Sequence, residues 1–332
     1  MGAGWVAGVT RARALAAGRA GPGTARRLAA APGLPDALRT LASTPYRRGL
    51  DVRAAVAEAQ RGVSDALVWW LRVLAGWQPR PGALAVRLLA SPFEIANTRR
   101  RLLALSGASD MSGVADTPGT SDTPGDTGTP PPAPYRLGAL ATAWPRLSRA
   151  SSPSQLRAVL TASAWGDPGG ASAAAVLTGM RLSAAARTAA AVPCAARWAA
   201  GEAALLVARE VFVTGLPLTR TAEHRAVPLL GAGALRAAAA GRFEEFRDRL
   251  PAGARWALEG TERPRDLWRA EARWWPRVER DGLALLERTR YDVAPVAGAV
   301  AVLGADAWRV RAGLECAGRG TGALEAFDEL LG

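Results

Sequence analysis

Between Asp51 and Gly76 the apolar residues return at helical intervals. Val52, Val56, Ala59, Val63, Leu67, Trp70 and Leu74 fall on one stripe that Gly76 closes, with Asp51 placed to cap it. The same period recurs through Leu156–Ala162, Ala184–Ala191, Arg197–Thr214, Gly233–Leu250 and Trp268–Thr289, with Pro or Gly between the segments. In Arg197–Thr214 the face is Trp198, Leu205, Ala208 and Phe212. Nearer the start, Thr24 reads as an N-cap and Pro35 as a first-turn residue. Runs of alternating Val and Ile are scarce, and Leu and Ala dominate. An all-α fold is therefore expected.

One stretch breaks this pattern. Residues 107–134 hold Asp-Thr-Pro-Gly twice, at 116–119 and 122–125, then Pro130, Pro131 and Pro132, with four Asp and no Arg. Such a composition cannot bury enough surface to offset the entropy of ordering, so a disordered Pro/Gly/Asp/Thr-rich linker is expected there. Its sign is opposite to that of the remaining chain. The 332 residues carry 42 Lys+Arg against 29 Asp+Glu, a formal net charge of +13, and every one of the 42 is Arg. A Lys-free, Ala- and Arg-rich chain is what a GC-rich genome writes. The excess charge still favours an acidic partner, whether protein, anionic membrane surface or nucleic acid.

Catalytic chemistry finds few candidates. His224 is the single histidine and reads as a surface residue; Cys194 and Cys316 are isolated thiols expected to be small buried residues in a reducing compartment. A chain without lysine has no standard nucleotide P-loop, and residues 166–170, Gly-Asp-Pro-Gly-Gly, read as a turn. Glu244 and Glu245 sit beside Arg247 and Arg249, where a solvated ion-pair network is the ordinary account. Neither a nucleophile with its base, nor a metal site, nor a cofactor site is expected. The longest apolar candidate for a membrane span, Val293 to Ala305, is short and contains Pro295. No secretion signal is read in the first twenty residues, so a cytoplasmic location is expected. Twelve Trp are expected chiefly to fill an Ala-rich core. Trp274 and Trp275 among Arg269, Arg273 and Arg277 also allow a stacking platform for single-stranded nucleic acid.

The segment Phe93 to Leu105 joins an aromatic, Glu94 and Asn97 to the basic run Arg99-Arg100-Arg101 and a Leu-rich end. As a helix it places Ile95, Leu102 and Leu105 on one face, with Asn97, Arg100 and Arg101 on another. Read by itself, this is a surface helix with a solvated basic flank. Upstream lie Trp5 through Arg11-Ala12-Arg13, then Leu34, Leu38 and Leu41, then Thr44-Pro45-Tyr46. In order and spacing this resembles the start of the central-stalk connector of V-type ATPases, the C subunit of prokaryotic enzymes and the d subunit of vacuolar ones. That family opens on an aromatic and Arg-x-Arg. A short Leu-rich helix ending in Thr-x-Tyr follows, and then an aromatic-Asp-x-x-Asn-Leu motif. Here Glu94 stands for the usual Asp and Thr98 for the usual Leu. The segment Pro295 to Gly318 resembles the family's last inner helix; the usual Lys-Glu pair is missing, with Gly304 and Ala305 in its neighbourhood and Asp306 the acidic residue that remains there.

The resemblance implies three pseudo-symmetric helical bundles arranged as a funnel: residues 1–106, then 135–222 and 223–332 after the linker at 107–134. It implies a non-catalytic rotor subunit that couples shaft subunits D and F to the membrane proteolipid ring, peripheral on the inner face of the cell membrane. No cofactor, small-molecule substrate or nucleic acid is then expected, and the partner interface is expected at Asn97, Arg99, Arg100 and Arg101. The rival reading is a basic helical nucleic-acid-binding or regulatory adaptor. A membrane-surface helix protein is a third.

Overall fold

The computed structural model describes residues 3–48, 50–107, 132–320, 324–325 and 327–328. Most of the linker expected over 107–134 thus lies outside the described residues. The described residues are helical, with turns and no strand among them. In chain order the helices are α1 (Ala3–Ala17), α2 (Pro22–Ala29), α3 (Leu34–Ala42), α4 (Val56–Gly76), α5 (Arg80–Leu89) and α6 (Ser91–Ser106). Then come α7 (Trp144–Leu147), α8 (Pro153–Thr161), α9 (Ala173–Ala191), α10 (Ala196–Ala208), α11 (Arg220–Leu230) and α12 (Ala232–Ala239). The last four are α13 (Phe243–Arg249), α14 (Ala252–Arg255), α15 (Leu267–Leu286) and α16 (Val293–Arg319). The helices group into two compact units. Unit 1 combines the residues up to Val86, those at 132–136 and those from Ala272 on; unit 2 holds Arg87–Gly107 and Leu137–Glu271.

In unit 1, α16 is the central element, packed by α1, α2, α3 and α4. It is buried almost all round, from Val296, Ala299 and Val302 to Val310 and Leu314. Small residues let the backbones close in. A Cβ on Gly313 would come 2.7 Å from the Ala25 carbonyl oxygen of α2, and one on Gly298 would come 2.5 Å from the Gly282 carbonyl oxygen of α15. Pro295 does not shorten this helix as the sequence suggested. It lies in the first turn, where no intrahelical N–H is needed, and Asp292 caps the start by accepting from the Ala294 N–H at 2.9 Å. Among the described residues α16 is the one helix long and apolar enough to cross a membrane, and 83% of its most apolar window is buried. Burial of that kind belongs to the core helix of a bundle.

The stripe on α4 is buried as expected from Ala59 to Leu74, but the helix starts one turn later than Asp51 implied. Asp51 accepts from Arg53 N–H outside the helix, while Glu58 reaches back to Ala55 N–H at 3.0 Å, leaving Val52 exposed. The adjacent Trp69 and Trp70 serve two sides. Trp70 packs on Tyr46 with ring centroids 4.9 Å apart, and the Arg48 guanidinium covers Trp69 at 4.1 Å.

Unit 2 is organised by α9, which packs against α6, α10 and α11. Ile95 and Leu102 of α6 join Leu147, Leu156, Leu160, Trp165 and Met180 in one buried cluster. The segment Gly233–Leu250 is two helices, not the single one its period suggested. Gly241 turns the chain with φ 69° between α12 and α13. The two pack as an antiparallel pair, with Phe243 and Phe246 both against Phe212, at centroid distances of 5.1 and 5.5 Å. Residues 166–170 form the expected turn, with φ positive at Gly166 and Gly169.

Candidate functional site

Two buried carboxylates hold chain junctions in the same manner, one in each unit. In unit 1, Asp306 of α16 is fully buried. Its Oδ1 accepts from the Gly21 N–H at 2.7 Å; its Oδ2 accepts from the Ala20 N–H at 3.0 Å and the Tyr46 hydroxyl at 2.9 Å. These N–H groups lead into α2, so the negative charge sits where a helix start favours it. Tyr46 is aimed by its own turn. The Thr44 hydroxyl donates to the Leu41 carbonyl at 2.6 Å and accepts from Tyr46 N–H at 3.2 Å.

In unit 2, Glu94 of α6 is 2% exposed. Its Oε2 accepts from Thr142 N–H and its Oε1 from Ala143 N–H, both at 2.6 Å, and Oε1 also accepts from the Trp165 indole at 3.2 Å. These N–H groups lead into α7. Trp165 is aimed as Tyr46 is: the Ser163 hydroxyl donates to the Leu160 carbonyl at 2.7 Å and accepts from Trp165 N–H at 3.1 Å. The parallel runs through all its parts: an inner-helix carboxylate, two successive N–H groups, and an aromatic held by a Ser/Thr turn. Chemically these are clamps. Main-chain donors occupy the carboxylate oxygens, and both groups lie in the packed interior.

Burial holds the Asp306 carboxyl above the usual carboxylate range, against the lowering pull of its hydrogen bonds, and burial beside Asp306 pushes the Tyr46 hydroxyl well up. A tyrosine raised in the folded state contributes stability that is whole below its unfolded value of about 10 and is lost as pH climbs toward the folded one. Tyr46→Phe is expected to cost about 1 kcal/mol at neutral pH. The gap to the wild type should narrow above pH ~10, as denaturation titrations at successive pH values would read. A constant gap would contradict this account.

Other charges are buried in pairs. In unit 1, Arg309, one turn beyond Asp306, pairs with Glu279 of α15, and Arg19 approaches the same carboxylate at 4.0 Å. In unit 2, Arg209 pairs with Glu271. Arg181 of α9 is 8% exposed and is lowered by burial, an effect opposed by Glu210 and Glu202, whose own carboxyls burial pushes up.

The four residues expected at a partner interface stand differently from one another. Asn97 is fully buried, and Arg99 and Arg100 are half-buried. Arg101 donates through Nε to the Ala150 carbonyl at 3.0 Å, tying α6 to the end of the α7 segment. The pattern put Asn97 on the helix side away from Ile95 and Leu102. However, α6 is enclosed by α7 and α8 as well as α9, and so it buries more than one side. The roles of Glu94 and Asp306 as clamps were missed. The signal available was an acidic residue inside an otherwise apolar helical stretch, twice.

His224 is exposed, and Cys194 and Cys316 are half-buried rather than buried. Among the described residues no group of three or more His, Cys, Asp or Glu could hold a metal ion. Comparison with known families finds no family model that matches the chain, and comparison with curated proteins finds no match either.

Proposed function

We propose that this chain is a non-catalytic connector of the kind it resembles in sequence, the central-stalk C or d subunit of V-type ATPases. In this reading it couples shaft subunits D and F to a membrane proteolipid ring on the cytoplasmic face. The observation that carries it is the repeated clamp. Asp306, Tyr46 and Glu94 fall on segments that resemble the family's acidic and aromatic motifs, and Trp165 completes the second set. A scaffold with internal repeats needs such equivalents.

Packing, not chain order, supports a third copy: α16 carries α2 and α3, α6 carries α7 and α8, and the turn after α10, at Arg209–Val213, carries α12 and, through Phe212, α13. In the last set the inner carboxylates, Glu202 of α10 and Glu210 just after it, stand with Arg181. The set keeps a glycine of positive φ before its first outer helix, Gly231 at 79°, beside Gly21 at 80° before α2. On this reading unit 1 holds one bundle and unit 2 the other two, and three such bundles form the funnel. Stiffness suits a coupling part, because densely packed helices clamped at their junctions transmit a load with little give. Arg99 and Arg100, half-buried on α6, remain the proposed contact residues; Asn97 and Arg101 would support them from within.

Co-expression with a proteolipid ring and subunits D and F tests the reading. Stoichiometric co-purification through the ring is expected, with nucleic-acid binding weak and nonspecific. Failure to join either partner, together with tight nucleic-acid binding that falls steeply with salt, would establish the adaptor reading instead.

A further inference from the structure

We propose that the corner of unit 1 where the start of α1 meets the α4–α5 junction is a docking surface for an anionic lipid bilayer. The inference goes beyond the rotary reading and needs neither ring nor shaft. Packing builds the corner from segments some seventy residues apart in the chain. Gln78 donates through Nε2 to the Gly8 carbonyl at 2.9 Å. A Cβ on Gly4 would lie 4.0 Å from Pro79, and one on Gly82 would come 3.2 Å from the Trp5 ring. Three large apolar side chains stand in solvent on these elements. Val6 lies in the first turn of α1, Leu84 lies on α5, and Trp77, the residue that ends α4, is 53% exposed. An indole left that open forgoes much of the burial that normally repays so large a side chain.

Charge complementarity names the partner. Residues 1–35 and 66–93, which supply the corner, contain no Asp or Glu. Arg80 and Leu84, both exposed, are spaced i and i+4 and so share one face of α5. Arg72 is exposed on α4 a little more than a turn before Trp77. Among the described residues neither guanidinium takes part in a hydrogen bond or an ion pair, unlike Arg13 farther along α1, which is spent on the Leu286 and Arg288 carbonyls. The starts of α1 and α5 meet here against a single helix end, that of α4, so the backbone adds no negative excess. Lipid fits this mixture best. The bilayer interface takes up an indole at headgroup level while arginines beside it meet the anionic headgroups. The apolar groups stand on three different helices as separate points, which suits shallow insertion among headgroups. Attachment is peripheral, because the one helix long and apolar enough to span, α16, is spent on the core.

The test is co-sedimentation of the full chain, without ring or shaft subunits, with vesicles of phosphatidylcholine alone or mixed with phosphatidylserine. The mixed vesicles should bind the chain, and the neutral ones should bind it far less. Arg72→Gln with Arg80→Gln should weaken binding to mixed vesicles at least about tenfold. Trp77→Ser should weaken it about fivefold. All three groups are exposed, so far-UV circular dichroism should not change. Brominated lipid should quench part of the tryptophan emission, and less of it in Trp77→Ser. Replacing exposed residues of unit 2 instead, Trp268→Ser with Arg146→Gln and Arg149→Gln, should leave affinity within about twofold. The proposal is overturned if the wild type ignores mixed vesicles, if the corner variants bind them as it does, or if the unit 2 variant loses as much. It also fails if soluble polyglutamate binds more tightly with the same dependence on Trp77, which would make the partner an acidic protein. Loss of self-association in the corner variants, with vesicle binding unchanged, would make it a second copy. None of these outcomes bears on co-purification with a proteolipid ring, so the two readings fail separately.

Discussion

Replacing Asp306 by Ala is expected to destabilise unit 1 by about 3–5 kcal/mol, because three donors lose their acceptor at once. The Ala20 and Gly21 N–H groups and the Tyr46 hydroxyl all end on this carboxylate. Glu94→Ala is expected to do comparable damage in unit 2, where Thr142, Ala143 and Trp165 are left unanswered. Denaturant unfolding followed by tryptophan fluorescence and far-UV circular dichroism gives the values. Asp65→Ala supplies the comparison: its bond to Arg61 is exposed, and its loss should cost at most about 1 kcal/mol. Were Asp306→Ala to unfold within about 1 kcal/mol of the wild type, the clamp would carry no weight and the internal repeat would lose its physical meaning.

A second large effect is expected at Gly298. An added methyl would meet the Gly282 carbonyl oxygen at 2.5 Å and the Leu285 Cβ at 3.0 Å. The obstruction is main chain on α15, which cannot step aside as a flexible side chain would. Gly298→Ala should therefore lose about 1–3 kcal/mol although it improves helix propensity, and Gly298→Leu should lose more. Gly62 on α4 provides the opposite sign. Nothing lies within 4 Å of a Cβ there, so Gly62→Ala should gain about 0.5–1 kcal/mol. A stabilising Gly298→Ala would show that α15 and α16 do not approach as closely as described.

These two sites also mark what the sequence made legible. Apolar period alone identified the helical class, the α4 stripe and the helix from Arg197, because burial on a regular element repeats with the element's own geometry. It failed where a residue's partner lies far along the chain. Glu94 bonds 48 and 49 residues away and Asp306 across 260 to 286, and no local window contains both ends. Asn97 was placed outward for the same reason: the helix wheel knows one face, and α6 is enclosed on several sides. The break between α12 and α13 was the reverse error. Both halves share a helical period, and a single glycine of positive φ separates them.

The make-up of unit 1 bears on how the molecule can be born. Its scaffold, α16, is translated more than 200 residues after α1 to α4, the four early helices packed upon it. At ordinary elongation rates that interval lasts on the order of ten seconds or more. Throughout it, the nascent segments α1 to α4 wait on the ribosome with their greasy sides uncovered. Unit 2, uninterrupted in the chain apart from the 108–136 stretch, meets no such delay. Chaperone demand should accordingly concentrate on the first hundred residues, and a pause or truncation ahead of α16 would strand them.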